Sequence, residues 1–139
     1  MKNRIVVSTD NAPEAAGPYS QAIQSGDLLF ISGQLPIDMA TGEFPGPIGE
    51  QARCCMQNLD AIAKEAGTSL ENAVKITIFL TDMNDFAEVN SVYSSFFPDI
   101  PPARSTFAVA ALPKKAQIEI EAICAISRSS ASESPQSVL

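Results

Sequence analysis

The chain has 139 residues, 45% of them hydrophobic and 18% charged, the size of one domain with a real core. Its net charge of −7 argues against a surface that gathers nucleic acid, and no apolar run approaches the roughly 20 residues needed to cross a bilayer. Histidine is absent, which excludes Ser-His-Asp and Cys-His arrangements and His-containing zinc sites; three cysteines cannot build a four-cysteine site either.

The opening segment from Met1 to Asp10 has too short an apolar stretch for a secretory leader. Cys54 and Cys55 are adjacent on a helical pattern, so their side chains diverge and no disulfide framework is expected. Free thiols suit a reducing compartment, and the expected location is cytoplasmic.

Ile5-Val6-Val7 reads as a short strand, after which Pro13 and Gly17-Pro18 impose an irregular connection. Ser20 to Ile23 and Leu28 to Ile31 read as a hairpin around Gln24-Ser25-Gly26-Asp27. Three prolines and two glycines inside the stretch from Gly33 to Gly49 predict a long loop, a kind of segment that often carries function. From Ile48, apolar Ala52, Cys55, Met56, Leu59, Ile62 and Ala63 recur at helical spacing, with Gly67 placed to end the helix. Val74, Ile76, Ile78 and Leu80 alternate with more polar neighbours and predict a strand with one core face. Phe86, Val89, Tyr93, Phe96 and Phe97 predict a second helix, stopped by Pro98.

Arg104 to Ala110 reads as extended, Leu112-Pro113-Lys114-Lys115 as a turn, and Ala116 to Ile126 as a closing strand. The serine-rich segment from Ser127 to Leu139 lacks periodicity and is expected to be a flexible tail, leaving residues 1–126 as a single domain. This order predicts an α+β fold: one mixed sheet with two helices packed on one face. The uncovered face then calls for burial against further copies of the chain, so a homo-oligomer is expected.

Chemistry in a histidine-free chain must come from other groups. Arg104 follows two prolines, and its planar guanidinium, held in a fixed direction, suits a carboxylate; a surface ion pair is an equal rival. Thr106 shares its strand face. Glu119 and Glu121 share a face of the closing strand, where an acid is either solvated or, if covered, a candidate general base for water. Tyr19 either aims its hydroxyl into a cleft or packs under its loop. Ser32-Gly33 ends a strand, and the glycine admits either a close ligand or a turn. Tyr93 and Met56 read as core, the cysteines as small buried hydrophobes, and Lys114-Lys115 as a solvated loop.

Four motifs in order resemble the RidA family (YjgF, also called L-PSP endoribonuclease): Gly17-Pro18-Tyr19-Ser20-Gln21-Ala22, Ile31-Ser32-Gly33-Gln34, Pro102-Ala103-Arg104-Ser105-Thr106 and Ile118-Glu119-Ile120-Glu121-Ala122, with Val89-Asn90 between them. The resemblance runs from about residue 5 to residue 126. It implies a chorismate-mutase-like fold, a homotrimer with a central barrel, and active sites between subunits. It also implies hydrolysis of enamine and imine intermediates, such as 2-aminoacrylate, 2-iminopropanoate and 2-iminobutanoate, to 2-oxo acids and ammonia, with no cofactor and no metal.

By the same resemblance, Arg104 would hold the substrate carboxylate through two hydrogen bonds and Glu119 would position water. Tyr19, Ser32 and Gly33 would line the cleft, with Asn90 near its edge. Thr106 stands where the family often has cysteine, which puts thiol-dependent control in doubt. The alternatives are a non-catalytic binder of 2-oxo acids and, weakest for an acidic chain, a single-stranded RNA endoribonuclease that inhibits translation.

Overall fold

A computed structural model describes residues 3–127 of the chain, so the expected serine-rich tail lies almost wholly outside the described residues. Six strands form one sheet in the order β1-β2-β3-β6-β4-β5. They are β1 (Ile5–Val7), β2 (Ala22–Ser25), β3 (Leu28–Gln34), β4 (Ala73–Leu80), β5 (Ala103–Ala108) and β6 (Ile118–Ala125). The β4–β5 pair is parallel and the other neighbours are antiparallel, so the sheet is mixed. Two helices, α1 (Ile48–Glu65) and α2 (Phe86–Ser94), pack on one face.

The core follows the two apolar periodicities. The α1 stripe of Ala52, Cys55, Met56, Leu59, Ile62 and Ala63 is fully buried. It meets Leu29 and Ile31 of β3, Ile76, Ile78 and Leu80 of β4, and Ile118, Ile120 and Cys124 of β6. Two polar residues of α1 anchor the long loop before it. Gln51 donates to the Pro45 carbonyl at 2.9 Å, and Asn58 donates to the Ile37 carbonyl at 2.9 Å. The loop thus gains fixed hydrogen bonds without regular structure of its own. At the other end, Gly67 takes φ +87, and the amides of Gly67 and Thr68 return to Lys64 and Ala63, closing α1 as expected.

Several local details depart from the sequence expectation: β3 runs on to Gln34, α2 ends at Ser94 before Phe96 and Phe97, and β6 spans only Ile118–Ala125. The hairpin strand is Ala22–Ser25 rather than Ser20 to Ile23, because Gly26 at φ +61 closes a two-residue turn and lets pairing run up to Ser25 and Leu28. Val74 does not face the core: a bulge between Ala73 and Lys75 turns Ala73 inward and leaves Val74 45% exposed. Strand β5 stops at Ala108, level with Leu80, rather than reaching Ala110.

Among the described residues, no helix or strand packs over the face opposite the helices. Phe30 is 43% exposed and Phe107 52% exposed, and Phe107 stacks on Phe79 with ring centroids 6.4 Å apart. Among the described residues, no helix is long and apolar enough to cross a membrane.

Candidate active site

The register of the sheet separates the two residues that carry the proposed chemistry. Arg104 is level with Ile76, a fully buried core residue, so its side chain leaves the helix face of the sheet. Glu119 is level with Phe79, whose ring lies with Phe107 on the opposite face. The chain therefore presents two separate clefts on opposite faces of its sheet, each a candidate half of a site.

The first is a cleft of ≈ 430 Å³ between α2 and the start of β5, lined by Asn90, Tyr93, Ser94, Pro101, Pro102 and Arg104 among others. Arg104 Nη1 donates to Asn90 Oδ1 at 2.6 Å. The guanidinium carbon lies 4.8 Å from the centre of the Tyr93 ring and 5.4 Å from that of Phe86. Two aromatic faces and an amide oxygen stabilise a cation without neutralising it. No ion pair to Arg104 exists among the described residues, so the surface-salt-bridge reading does not hold. Burial pushes the Tyr93 phenol up from its ordinary value, with the Arg104 charge acting in the opposite direction, and the group stays protonated near neutrality. Its hydroxyl is buried without a hydrogen-bond partner among the described residues. Thr106 shares the strand face of Arg104 but does not line this cleft, and its hydroxyl oxygen is likewise buried and unpartnered.

The second half-site is a cavity of ≈ 600 Å³ on the other face, lined by Tyr19, Ser32, Gly33, Lys114, Glu119 and Glu121 among others. Glu119 lies against the Gly33 backbone so closely that a Cβ at position 33 would collide with the carboxylate, whose Cδ would be only 2.7 Å away. This differs from both readings of that glycine, a close ligand or a turn: the group that approaches its backbone is a side chain of the same chain. Burial raises the Glu119 pKa, and the Glu121 charge raises it further. Ser32 Oγ donates to the Ser20 carbonyl at 2.6 Å, which ties β3 to the Tyr19 loop. The Tyr19 hydroxyl accepts from the Ala16 amide at 3.3 Å while the ring stays 53% exposed, so it is not a ring buried beneath its loop.

The arrangement brings Tyr19, Ser32, Gly33 and Glu119 together, and Arg104 with Asn90, but leaves the two sets apart. Sequence reasoning overlooked two contributors. Tyr93, read as core, also forms the floor under Arg104; the signal was the i, i+4, i+7 spacing of Phe86, Asn90 and Tyr93 on one stripe of α2. Lys114, read as a solvated turn, lines the Glu119 cavity, and both it and Lys115 hold left-handed backbone, with φ 56 and φ 59. No cluster of three or more His, Cys, Asp or Glu suited to a metal ion occurs among the described residues.

Residues 9–126 match the family model described as Endoribonuclease L-PSP. The chain belongs to the RidA (YjgF) family. The RutC family protein y4sK of Sinorhizobium fredii is 57% identical over 121 residues, covering 86% of this chain and 96% of that protein. The 2-iminobutanoate/2-iminopropanoate deaminase of Mus musculus is 47% identical over 121 residues, covering 86% of this chain and 90% of that protein. Among solved structures, that of E. coli TdcF with bound serine superposes with a TM-score of 0.85 at 43% identity, covering 88% of this chain and 99% of the other. RidA-family relatives thus include proteins named as deaminases and others named only by family.

Proposed function

We infer that the protein is a hydrolytic deaminase of small enamine and imine acids, 2-aminoacrylate with its 2-iminopropanoate tautomer and 2-iminobutanoate, working in the cytoplasm without a cofactor. The observation that carries this reading is the Arg104 guanidinium, held in place by Asn90 and two rings yet unpaired with any carboxylate among the described residues. A substrate carboxylate supplies that missing anion through two parallel N–H donors. The bound serine of the TdcF relative, itself an α-carboxylate, agrees with this class of ligand.

The half-sites complete one another across a subunit boundary. In a homotrimer whose sheets close into a central barrel, the open face carrying Phe30 and Phe107 is buried, and the Arg104 cleft of one subunit faces the Glu119 cavity of the next. Tyr19, Ser32 and the Gly33 backbone then line the composite cleft, and Thr106, expected there by the resemblance, lies outside it.

The chemistry needs little more than placement. An imine carbon is electrophilic, so a fixed carboxylate end and an oriented water lower the barrier chiefly by positioning. Glu119 accepts a proton from water as the water oxygen bonds to the imine carbon. Glu119 returns that proton to nitrogen, giving the neutral carbinolamine; it then relays the hydroxyl proton to nitrogen as the C–N bond breaks, and a 2-oxo acid and ammonia leave. Burial suits Glu119 to this exchange by raising its basicity.

The test is the release of ammonia and pyruvate from 2-aminoacrylate generated in situ, compared between wild type and Arg104→Ala. Acceleration by the wild type alone supports the assignment; equal rates overturn it. A binder of 2-oxo acids is the second reading, favoured by the bound serine of TdcF, and tight Arg104-dependent binding of 2-oxobutanoate without turnover would establish it instead.

A further inference from the structure

Arg104 has an acceptor of an unusual kind for a half-buried cation. Its Nη1 donates at 2.6 Å to an amide oxygen, Asn90 Oδ1, where an aspartate of the same shape would also fit. Beneath it lie the π faces of Tyr93 and Phe86. All three contacts come from α2 at positions i, i+4 and i+7, so a single helix stripe supplies the whole bracket. The stripe itself is anchored, since Tyr93 is 5% exposed and its ring lies 5.0 Å from Phe97. Every element of the bracket is neutral. Of the residues lining the cleft, only Arg104 and the un-ionised Tyr93 carry titratable or charged groups.

Resting on the deaminase reading above, we propose that Asn90 is a positioning residue rather than a substrate contact: it fixes the Arg104 guanidinium through a neutral acceptor, so that the substrate carboxylate is the only anion that pairs with it. A hydrogen bond to Oδ1 restricts the fork and lowers the ordering cost of binding. A carboxylate at the same position would restrict it equally well, but would also occupy the charge and repel the incoming anion. Retaining the hydrogen bond while adding a charge therefore separates positioning by a neutral group from simple anchoring.

The experiment compares Asn90→Ala and Asn90→Asp in the full chain, measuring KM and kcat for 2-aminoacrylate generated in situ and Kd for 2-oxobutanoate by calorimetry. Asn90→Ala, which frees the guanidinium, is expected to raise KM and Kd roughly three- to tenfold. Asn90→Asp is expected to raise them on the order of a hundredfold, with kcat changed less than KM. A purely structural anchor predicts the reverse order, because the aspartate keeps and strengthens the bond. Asn90→Asp at or below the Asn90→Ala values for KM and Kd overturns the proposal. Should Asn90→Asp fail to assemble, Ser94→Asp places an anion in the same cleft, and an unchanged KM there overturns it equally. Wild type and Arg104→Ala run alongside. Equal rates for those two overturn the deaminase reading and the proposal with it, whereas a wild-type-like Asn90→Asp in an Arg104-dependent enzyme overturns only the role of Asn90.

Discussion

The Arg104 cleft and the Glu119 cavity lie on opposite faces of one sheet and are built by different means. Around Arg104 the chain stabilises a charge without neutralising it: two rings, an amide oxygen and a β5 start preceded by Pro101-Pro102. Around Glu119 it disfavours a charge, through burial, a neighbouring Glu121 and close packing on the Gly33 backbone. The comparison teaches that one half-site is prepared to receive an anion and the other to hold a carboxyl group with a raised proton affinity. On the deaminase reading proposed above, the two faces meet across a boundary between subunits.

The largest expected effect comes from removing the fixed cation. Arg104→Ala should lower kcat/KM for 2-aminoacrylate on the order of a thousandfold, since a charge-assisted pair is lost at the substrate's only ionic handle. The fold should persist by circular dichroism and thermal denaturation, because among the described residues the guanidinium contacts only α2. A large loss of stability instead would break the view that the cation serves the cleft rather than the core.

Glu119→Gln is next, with kcat falling roughly a hundredfold or more as the proton acceptor is removed. The same substitution reports on stability with a definite sign. Folding raises the Glu119 pKa, so the folded state disfavours the ionised form. Wild type loses stability relative to Glu119→Gln as pH rises from the unfolded value, about 4.3, through the raised folded value. Denaturant titrations should therefore find the variant more stable at pH 7 and the difference closing toward pH 4. The acid limb of the wild-type rate should also lie above the ordinary carboxylate range. A limb at or below that range would break the picture of an acid set by burial.

A smaller effect is expected at Gly33, where the contrast can be sharpened without removing a charge. Gly33→Ala forces the Glu119 carboxylate aside, a shift that a long side chain beside an open cavity makes at a cost of about 1 kcal/mol or less. Rate measurements should show about a tenfold fall in kcat from the displaced acid, with Kd for 2-oxobutanoate nearly unchanged because Arg104 is untouched. An equal loss in both quantities would mean that the two half-sites are not separable.

Much of this was legible in the amino-acid sequence, and what was not has a common cause. The α1 stripe, the alternation in β4 and β6, and the four motifs are local patterns, and they specify the two helices, the sheet and the family. Alternation also places Arg104 with Thr106, and Glu119 with Glu121, within their strands. It cannot relate one strand to another. That Arg104 and Glu119 leave opposite faces follows from pairing Ile76 with Arg104 and Phe79 with Glu119, a long-range register that no local spacing encodes. The bulge at Ala73, which exposes Val74, is hidden for the same reason. The bracket under Arg104 was readable as a spacing on α2, but its apolar members are equally what a core helix would present.

The smallest effect concerns the turn into β6, the strand that carries Glu119. Lys114 and Lys115 both hold positive φ, a conformation that costs an ordinary L-residue roughly 1–2 kcal/mol and glycine almost nothing. Lys115 is exposed and does not line the Glu119 cavity, so it can be exchanged without touching the acid's surroundings. Glycine there relieves the strain but adds about 0.5–1 kcal/mol of unfolded-state entropy, so the net gain for Lys115→Gly should be only about 0.5 kcal/mol. Thermal denaturation should place its Tm about two degrees above wild type. An unchanged kcat would show that the strain is incidental to Glu119. A fall in kcat with the rise in Tm would show instead that the strained turn holds β6, and with it the acid, in its working position.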